Sequence, residues 1–407
     1  MFDLYRKSFA GLAQSIWLLA IVLVINRSGT MVIPFMTVYL TSDLCYSFTQ
    51  AGIVMSCFGL GSVLGSFLGG WLTDRIGFYY IQFWSLFFTG VSFFALSQVQ
   101  GMVPLCITIF IVGLIADAFR PANYAAAAAY SKPENLTRSF SLLRIAVNIG
   151  MGIGPALGGV LIGYVGYEAI FIVDGITCIV ASLVLLIFLP YRKSQEQSRV
   201  KVISKEPVRS AYRDEPYLVF TFMIFLTALA FMQFFTAVPV YLKEELFFNE
   251  AQIGGLIMIN CFMIALMEMP LVYTLEKRFS RLSMVNAGAL LIGLSFLVYL
   301  FSATGILLAI GFILIITVGE MLNMPFTNVI AMDRANDQNR GQYMAIFTIA
   351  FSCAHILAPS LGMYIAERYS FEVLWMVLFG LCILAIIGYQ MVSPYFKTES
   401  LKQEVVT

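Results

Sequence analysis

The chain has 407 residues, of which 60% are apolar, 15% aromatic and 12% charged, with a mean hydropathy of +0.87. Soluble proteins carry about twice that share of charge, so a water-soluble globular fold is excluded and a bilayer is the solvent for most of the chain. The formal charge of +1, from 24 Lys and Arg against 23 Asp and Glu, removes the electrostatic case for a nucleic-acid partner.

A spanning helix needs about 20 apolar residues. Using turn and charge clusters as punctuation, twelve segments are expected near 14–40, 50–72, 80–99, 102–130, 138–164, 167–190, 217–242, 251–275, 282–302, 305–331, 341–366 and 371–394. The first follows Arg6 and Lys7 but lacks a small-residue cleavage site, so it reads as an uncleaved helix. Seven cysteines stand singly, with no CxxC pair, and there is one histidine. A disulfide framework, a metal site and a cofactor are therefore not expected.

The polar stretch from Tyr191 to Pro216 separates the sixth and seventh segments and is too polar to bury anything. This divides the chain into an N-terminal six-helix bundle (1–190), a linker loop (191–216), a C-terminal six-helix bundle (217–394) and a tail (395–407). With both termini on one side, 19 of the basic residues fall on that side and two, Lys243 and Arg368, on the other. The positive-inside rule makes the first side cytoplasmic.

An internal repeat supports the division. An offset of 202 sets Tyr39 and Leu40 on Tyr241 and Leu242, Gly52 on Gly254, and Asp74 and Arg75 on Glu276 and Lys277. An offset of 204 sets Pro121 on Pro325, Pro155 on Pro359, Gly158 on Gly362 and Glu168 on Glu372. Parallel six-helix repeats imply an axis along the membrane normal, a substrate site near the midplane and alternating access.

Three motifs carry a resemblance. Gly70-Trp71-Leu72-Thr73-Asp74-Arg75-Ile76-Gly77 resembles the GxLxDRxG loop of the major facilitator superfamily, though Phe78 and Tyr79 stand where a basic pair is usual. Gly150 to Gly159 fits GxxxGPxxGG, a pattern similar to that of the 12-helix drug:proton antiporters of that superfamily. Asp117-Ala118-Phe119-Arg120-Pro121 resembles its fourth-helix arginine motif. The resemblance implies an all-α major facilitator fold, two pseudo-twofold-related six-helix bundles, and gating by Gly70, Asp74, Arg75, Gly77, Gly154 and Pro155. Glu276 is the second-half counterpart of Asp74, in a loop that departs further from the pattern.

Charges inside the membrane are costly and mark candidate sites. Arg27 lies roughly 20 Å along the first span, Asp117 and Arg120 about mid-depth in the fourth, and Glu320 slightly inside the middle of the tenth. Asp117 and Arg120 share a helix face with Tyr124, and the pair reads either as an intrahelical ion pair or as a substrate site. Glu320 shares its face with Asn323 and Thr327, and the repeat sets Met324 on Arg120, so Glu320 and Arg120 are expected to face one cavity. A carboxylate whose proton affinity changes as an arginine approaches or leaves meets the requirement for proton coupling. Glu320 is the expected proton carrier and Asp117 the second candidate. Asn26, Arg27, Arg120, Tyr124, Asn323, Thr327 and His355 are the expected substrate-cavity residues, His355 reading either as a relay or as part of a packed polar cluster. Glu268 is expected to act as a gate, Asp174 as an outer-rim group reaching water, and Arg144 to snorkel.

These readings point to a monomeric secondary transporter in a bilayer, proton-coupled, exporting an amphipathic small molecule, in a bacterial inner membrane. No GxxxxGK[ST] loop, histidine cluster or nucleophile elbow supports ATP-driven transport or an enzyme. The alternatives are import of a peptide, nutrient or organic anion, for which Arg27 and Arg120 would form a cationic site, and, more remotely, a non-transporting receptor.

Overall fold

The computed structural model describes residues 12–132, 135–191, 210–276, 278–301, 305–334 and 339–404. The expected contributions of Arg6, Lys7, Lys277 and the basic residues between 192 and 209 fall outside them. Among the described residues, twelve helices are long and apolar enough to cross a membrane. They are α1 (Gln14–Asp43), α2 (Phe48–Ile76), α3 (Phe78–Leu96), α4 (Met102–Tyr130), α5 (Arg138–Val165), α6 (Glu168–Phe188), α7 (Glu215–Glu244), α8 (Glu250–Glu276), α9 (Arg281–Leu300), α10 (Gly305–Asp333), α11 (Gln342–Arg368) and α12 (Phe371–Phe396). Helices prevail because hydrocarbon offers backbone groups no outside partner.

The 202-residue repeat is visible as backbone geometry. Cys45 and Phe247, 202 positions apart, are the two non-glycine residues with positive φ among the described residues, each at 55°. The Tyr46 amide donates to the Leu40 carbonyl at 2.8 Å, and the Phe248 amide to the Leu242 carbonyl at 2.8 Å. A left-handed residue without glycine is costly, so its recurrence at equivalent turns marks two copies of one device. The next helix starts in the same way twice: Ser47 and Gln50 form a capping box on α2, and Asn249 and Gln252 bond reciprocally on α8.

The chain forms two compact units: Met1–Gln197 with Pro239–Ala265, and Ser198–Val238 with Leu266–Thr407. In the first, α2 and α4 meet backbone to backbone, for a methyl at Gly65 would come within 2.1 Å of the Leu114 carbonyl oxygen. Small residues permit such close helix packing where lipid offers no hydrophobic driving force. The glycines of α5 receive α1 in the same manner, Gly150 against the Arg27 side chain and Gly158 against Met31. A core of Ile16, Leu19, Phe78, Phe119, Ala126 and Leu185 fills the space between. Pro239–Ala265, drawn from α7 and α8, belongs to this unit because it packs on α5: a methyl at Gly254 would lie 2.1 Å from the Pro155 oxygen.

The second unit is built around Tyr217, Phe220, Phe326 and Tyr389, with stacked Phe296, Trp375 and Phe371 beside them. The polar 191–216 stretch was expected to bury nothing, and its end corrects that expectation. Ala211 and Asp214 are 0% and 1% exposed. Burial is possible there because the Arg334 guanidinium donates two hydrogen bonds to Asp214, at 2.7 and 2.8 Å, and Tyr343 donates a third at 2.7 Å.

Two spans are not continuous helices. α1 is α-helical over Gln14–Ser28, opens at Gly29 and Thr30, and resumes over Val32–Val38. α7 is α-helical over Glu215–Phe231, turns through Met232–Phe235, and resumes over Ala237–Glu244.

Candidate functional site

Unit 1 gathers Asn26, Arg27, Ser62, Asp117, Arg120 and Cys178 around the opening in α1. α4 presents Asp117 and Arg120 one turn apart, and they form the ion pair that their spacing allows, at 3.2 Å. The Ser62 hydroxyl on α2 donates to the second Asp117 oxygen, so both carboxylate oxygens are engaged and Asp117 is 8% exposed. The Arg120 side chain is 56% exposed; Tyr124 is exposed too, and its ring packs against Phe140 at 5.8 Å. An arginine facing lipid at mid-depth costs at least about 2.5 kcal/mol, so this face of α4 borders water.

Arg27 lies in the last turn of the first piece of α1, where Gly150 and Gly154 of α5 face its Cβ and its carbonyl oxygen. Its guanidinium is within electrostatic reach of Arg120, Asp117 and Tyr124. It makes no hydrogen bond or ion pair among the described residues, and Nε is shielded without a partner. Asn26 donates to the Cys178 sulfur at 3.4 Å.

Asp174 corrects the expectation of an outer-rim group reaching water: it is 0% exposed. Its carboxylate accepts the Met31 amide at 3.0 and 3.1 Å and the Val32 amide at 2.9 Å. The opening in α1 frees those two N–H groups, and buried donors require an acceptor. The carboxylate sits nearly two turns within α6, opposite the opening in α1.

In unit 2, Glu320 is partly buried on α10. Asn323 and Thr327, expected to line a cavity, are 4% and 0% exposed instead. Asn323 donates to the Val285 carbonyl of α9 at 3.2 Å, and the Thr327 hydroxyl returns to the Asn323 carbonyl at 3.1 Å. Tight α9–α10 packing turns them inward. His355 is partly buried, next to Ala354, which packs on Ala228 and Leu229. Glu268 is 7% exposed.

Of the expected gating residues, Asp74 is exposed and makes no ion pair among the described residues. Arg75 lies over the Trp71 ring at 4.1 Å, Gly70 faces Pro121, and Gly77 takes φ 99° to end α2. The charged network missing there stands in the second half: Arg281 pairs with Glu276 at 3.2 Å and with Asp333. Arg281 is the repeat counterpart of Tyr79, so the second loop is the better-equipped one, the reverse of what the sequence pattern suggested.

Another group was missed altogether. At the far ends of the helices in unit 1, the Tyr167 hydroxyl and Lys243 both donate to one Glu250 oxygen, at 2.9 and 2.6 Å, and Ser42 donates to Glu244 at 2.7 Å. Burial, then the charge of Glu250, pushes the Tyr167 phenol above its usual range. The available signal was the repeat itself, which sets Ser42 on Glu244.

Twelve helices with paired charges at mid-depth and clasps at helix ends define a membrane transporter. The model of the Major Facilitator Superfamily matches residues 16–356 and 318–406, and the chain belongs to that family. It is 25% identical over 382 residues to an uncharacterized MFS-type transporter, YttB, of Bacillus subtilis, covering 92% of this chain and 94% of the other. It is 27% identical over 179 residues to a multi-drug resistance efflux pump PmrA homolog of Lactococcus lactis, covering 43% and 44%. It is 23% identical over 368 residues to a Na(+), Li(+), K(+)/H(+) antiporter of Planococcus maritimus, covering 82% and 85%. Among solved structures, a POT family transporter in complex with 5-aminolevulinic acid superposes with a TM-score of 0.81 at 15% identity, covering 95% of this chain and 98% of that one.

Proposed function

We propose that this protein is a proton-coupled exporter of amphipathic small molecules, set in a bacterial inner membrane with both termini cytoplasmic. The observation that carries the coupling is the Asp117–Arg120 pair, a carboxylate held at mid-depth by an arginine whose other side is exposed. Moving that arginine changes the carboxylate's hold on a proton. Glu320, partly buried on α10, is the main carrier in this reading and Asp117 the second. Export draws support from the GxxxGPxxGG run and from the relatives named as an efflux pump homolog and an antiporter.

Purified protein in proteoliposomes with a pH-sensitive dye inside tests this, with lipophilic cations, dipeptides and organic anions added in turn. Proton movement provoked by one class is expected from the wild type and absent from Glu320→Gln. Retained pH-driven transport in that variant would remove Glu320 from the role and leave Asp117→Asn as the next comparison.

A further inference from the structure

We propose that Cys57 on α2 and Cys106 on α4 form a redox-active dithiol, which a low-molecular-weight disulfide oxidises to a covalent bridge between the two helices. Sequence spacing alone conceals the pair, since 49 positions and a third helix separate the two thiols. The packing of α2 on α4 brings them together. A methyl at Gly61, Gly65 or Gly69 of α2 would meet Phe110, Leu114 or Ala118 of α4, and each of these pairs is 49 positions apart. The two helices therefore run parallel in one register, and the next pair in the row, one turn toward the helix starts, is Cys57 and Cys106.

The backbone distances along the row suit a disulfide at this place. A methyl at Gly69 would lie 2.5 Å from the Ala118 Cα, and one at Gly61 would lie 2.1 Å from the Phe110 carbonyl oxygen. With ordinary bond lengths, these contacts hold the two Cα atoms within about 4 Å at Gly69 and within about 6 Å at Gly61. Glycine is required where backbones come closest, and the row opens toward Cys57 into the roughly 4.4–6.8 Å that a disulfide spans. Gly113 of α4, whose methyl would lie 2.5 Å from the Phe58 carbonyl oxygen, keeps the seam tight beside Cys57. The two sulfurs are within side-chain hydrogen-bond reach of each other, and both are half-buried free thiols.

The reaction is thiol–disulfide exchange. One cysteine, as its thiolate, attacks the S–S bond of the reagent, expels one thiolate and is left as a mixed disulfide. The neighbouring cysteine thiolate attacks the protein sulfur of that mixed disulfide and expels the second. The protein thiols lose two protons and two electrons, and the reagent leaves as two thiols. Because the second step is intramolecular between groups already in place, it outruns attack by any outside thiol. Cys57 is nine residues after the start of α2 and Cys106 four after the start of α4, about 14 and 6 Å along their helices, within reach of a small lipophilic reagent.

The probe is 4,4′-dithiodipyridine, a small membrane-permeant disulfide, added to the full-length protein in detergent at about pH 8.5, near the ordinary thiol pKa. The exposed thiols Cys45 and Cys353 are first replaced by serine. Peptide mapping without reductant is expected to recover the Cys57 and Cys106 peptides joined, lighter by two hydrogen atoms than their sum and carrying no pyridyl adduct. The unfolding midpoint is expected to rise on oxidation and to return on reduction, because the bridge constrains the unfolded chain. At least one of Cys57→Ser and Cys106→Ser is expected to keep the pyridyl adduct on its remaining thiol, and neither is expected to show the rise. Cys57→Ala or Cys106→Ala replaces a serine variant that does not fold. A pyridyl adduct persisting on either thiol when both are present would overturn the proposal, as would failure of both to react, or a bridge from either one to a different cysteine.

Discussion

Asp174 on α6 holds the backbone of α1 open at Met31. Its two carboxylate oxygens take the Met31 amide at 3.1 and 3.0 Å, and one of them also takes the Val32 amide at 2.9 Å. Arg27 lies one turn before that opening and Asn26 is tied to Cys178, one turn beyond Asp174 on the same face of α6. The position of Arg27 in the membrane therefore depends on a carboxylate nearly 150 residues away.

The second repeat has Leu378 at the position of Asp174, so Asp174→Leu is the informative replacement. It leaves two buried N–H groups without an acceptor and is expected to destabilise the protein by about 3 kcal/mol or more. Asp174→Asn keeps one acceptor oxygen and is expected to cost roughly half as much. Unfolding midpoints in detergent measure both. Equal midpoints for Leu and wild type would mean that the opening in α1 is held by packing alone.

The far-end clasp yields a pH expectation with a definite sign. The Tyr167 phenol lies above its ordinary value because burial and Glu250 favour the protonated donor. Its hydrogen bond thus contributes fully below pH ~10 and is lost only as pH rises through the higher folded-state value. Tyr167→Phe should weaken the clasp by about 1.5–3 kcal/mol at neutral pH. In alkaline titration the wild type and the variant should show the same phenolate absorbance up to pH ~10. A cysteine pair at Ser42 and Glu244, joined by a short bifunctional thiol reagent that spans the lost length of the glutamate, should stop transport, since the two side chains are in hydrogen-bond contact.

The loop between α8 and α9 is expected to separate activity from stability. Arg281, Glu276 and Asp333 are each 41–52% exposed, and exposed ion pairs contribute well under about 1 kcal/mol. Arg281→Gln should therefore leave the unfolding midpoint within about a degree or two while slowing turnover of whichever probe moves protons in proteoliposomes. Unchanged turnover would remove this loop from the gate.

The helices and the repeat were legible because lipid imposes both length and closure on each span, and because paired prolines and glycines survive in register. Asp117 and Arg120 were legible as a pair through their spacing on one helix face. Asp174 was not, for nothing local to α6 announces that α1 opens opposite it. Asn323 and Thr327 were misplaced for a related reason: helix periodicity says which residues share a face, but not whether that face meets water or α9. Arg281 was hidden because the recognisable motif lies in the first copy, where Phe78 and Tyr79 carry no charge, and only the fold shows that the charge stands in the second copy.

The ion pair that closes the start of α7 is the strongest stability expectation. Asp214 caps the helix by accepting the Tyr217 amide at 3.4 Å, takes two bonds from Arg334 and one from Tyr343, and both side chains are almost wholly buried. Phe396 covers the guanidinium at 4.5 Å. Removing one partner from such a pair leaves the other buried and uncompensated, which costs about 3–5 kcal/mol. Asp214→Ala and Arg334→Leu should each lose that much, whereas Tyr343→Phe, which removes one hydrogen bond to a charged group, should lose about 1.5–3 kcal/mol. Because the two charged residues share one interaction, the double variant Asp214→Ala/Arg334→Leu should be less destabilised than the sum of the singles. Unfolding of all four proteins in one detergent measures the coupling, and simple additivity would show that the pair is not the element that anchors the linker to its bundle.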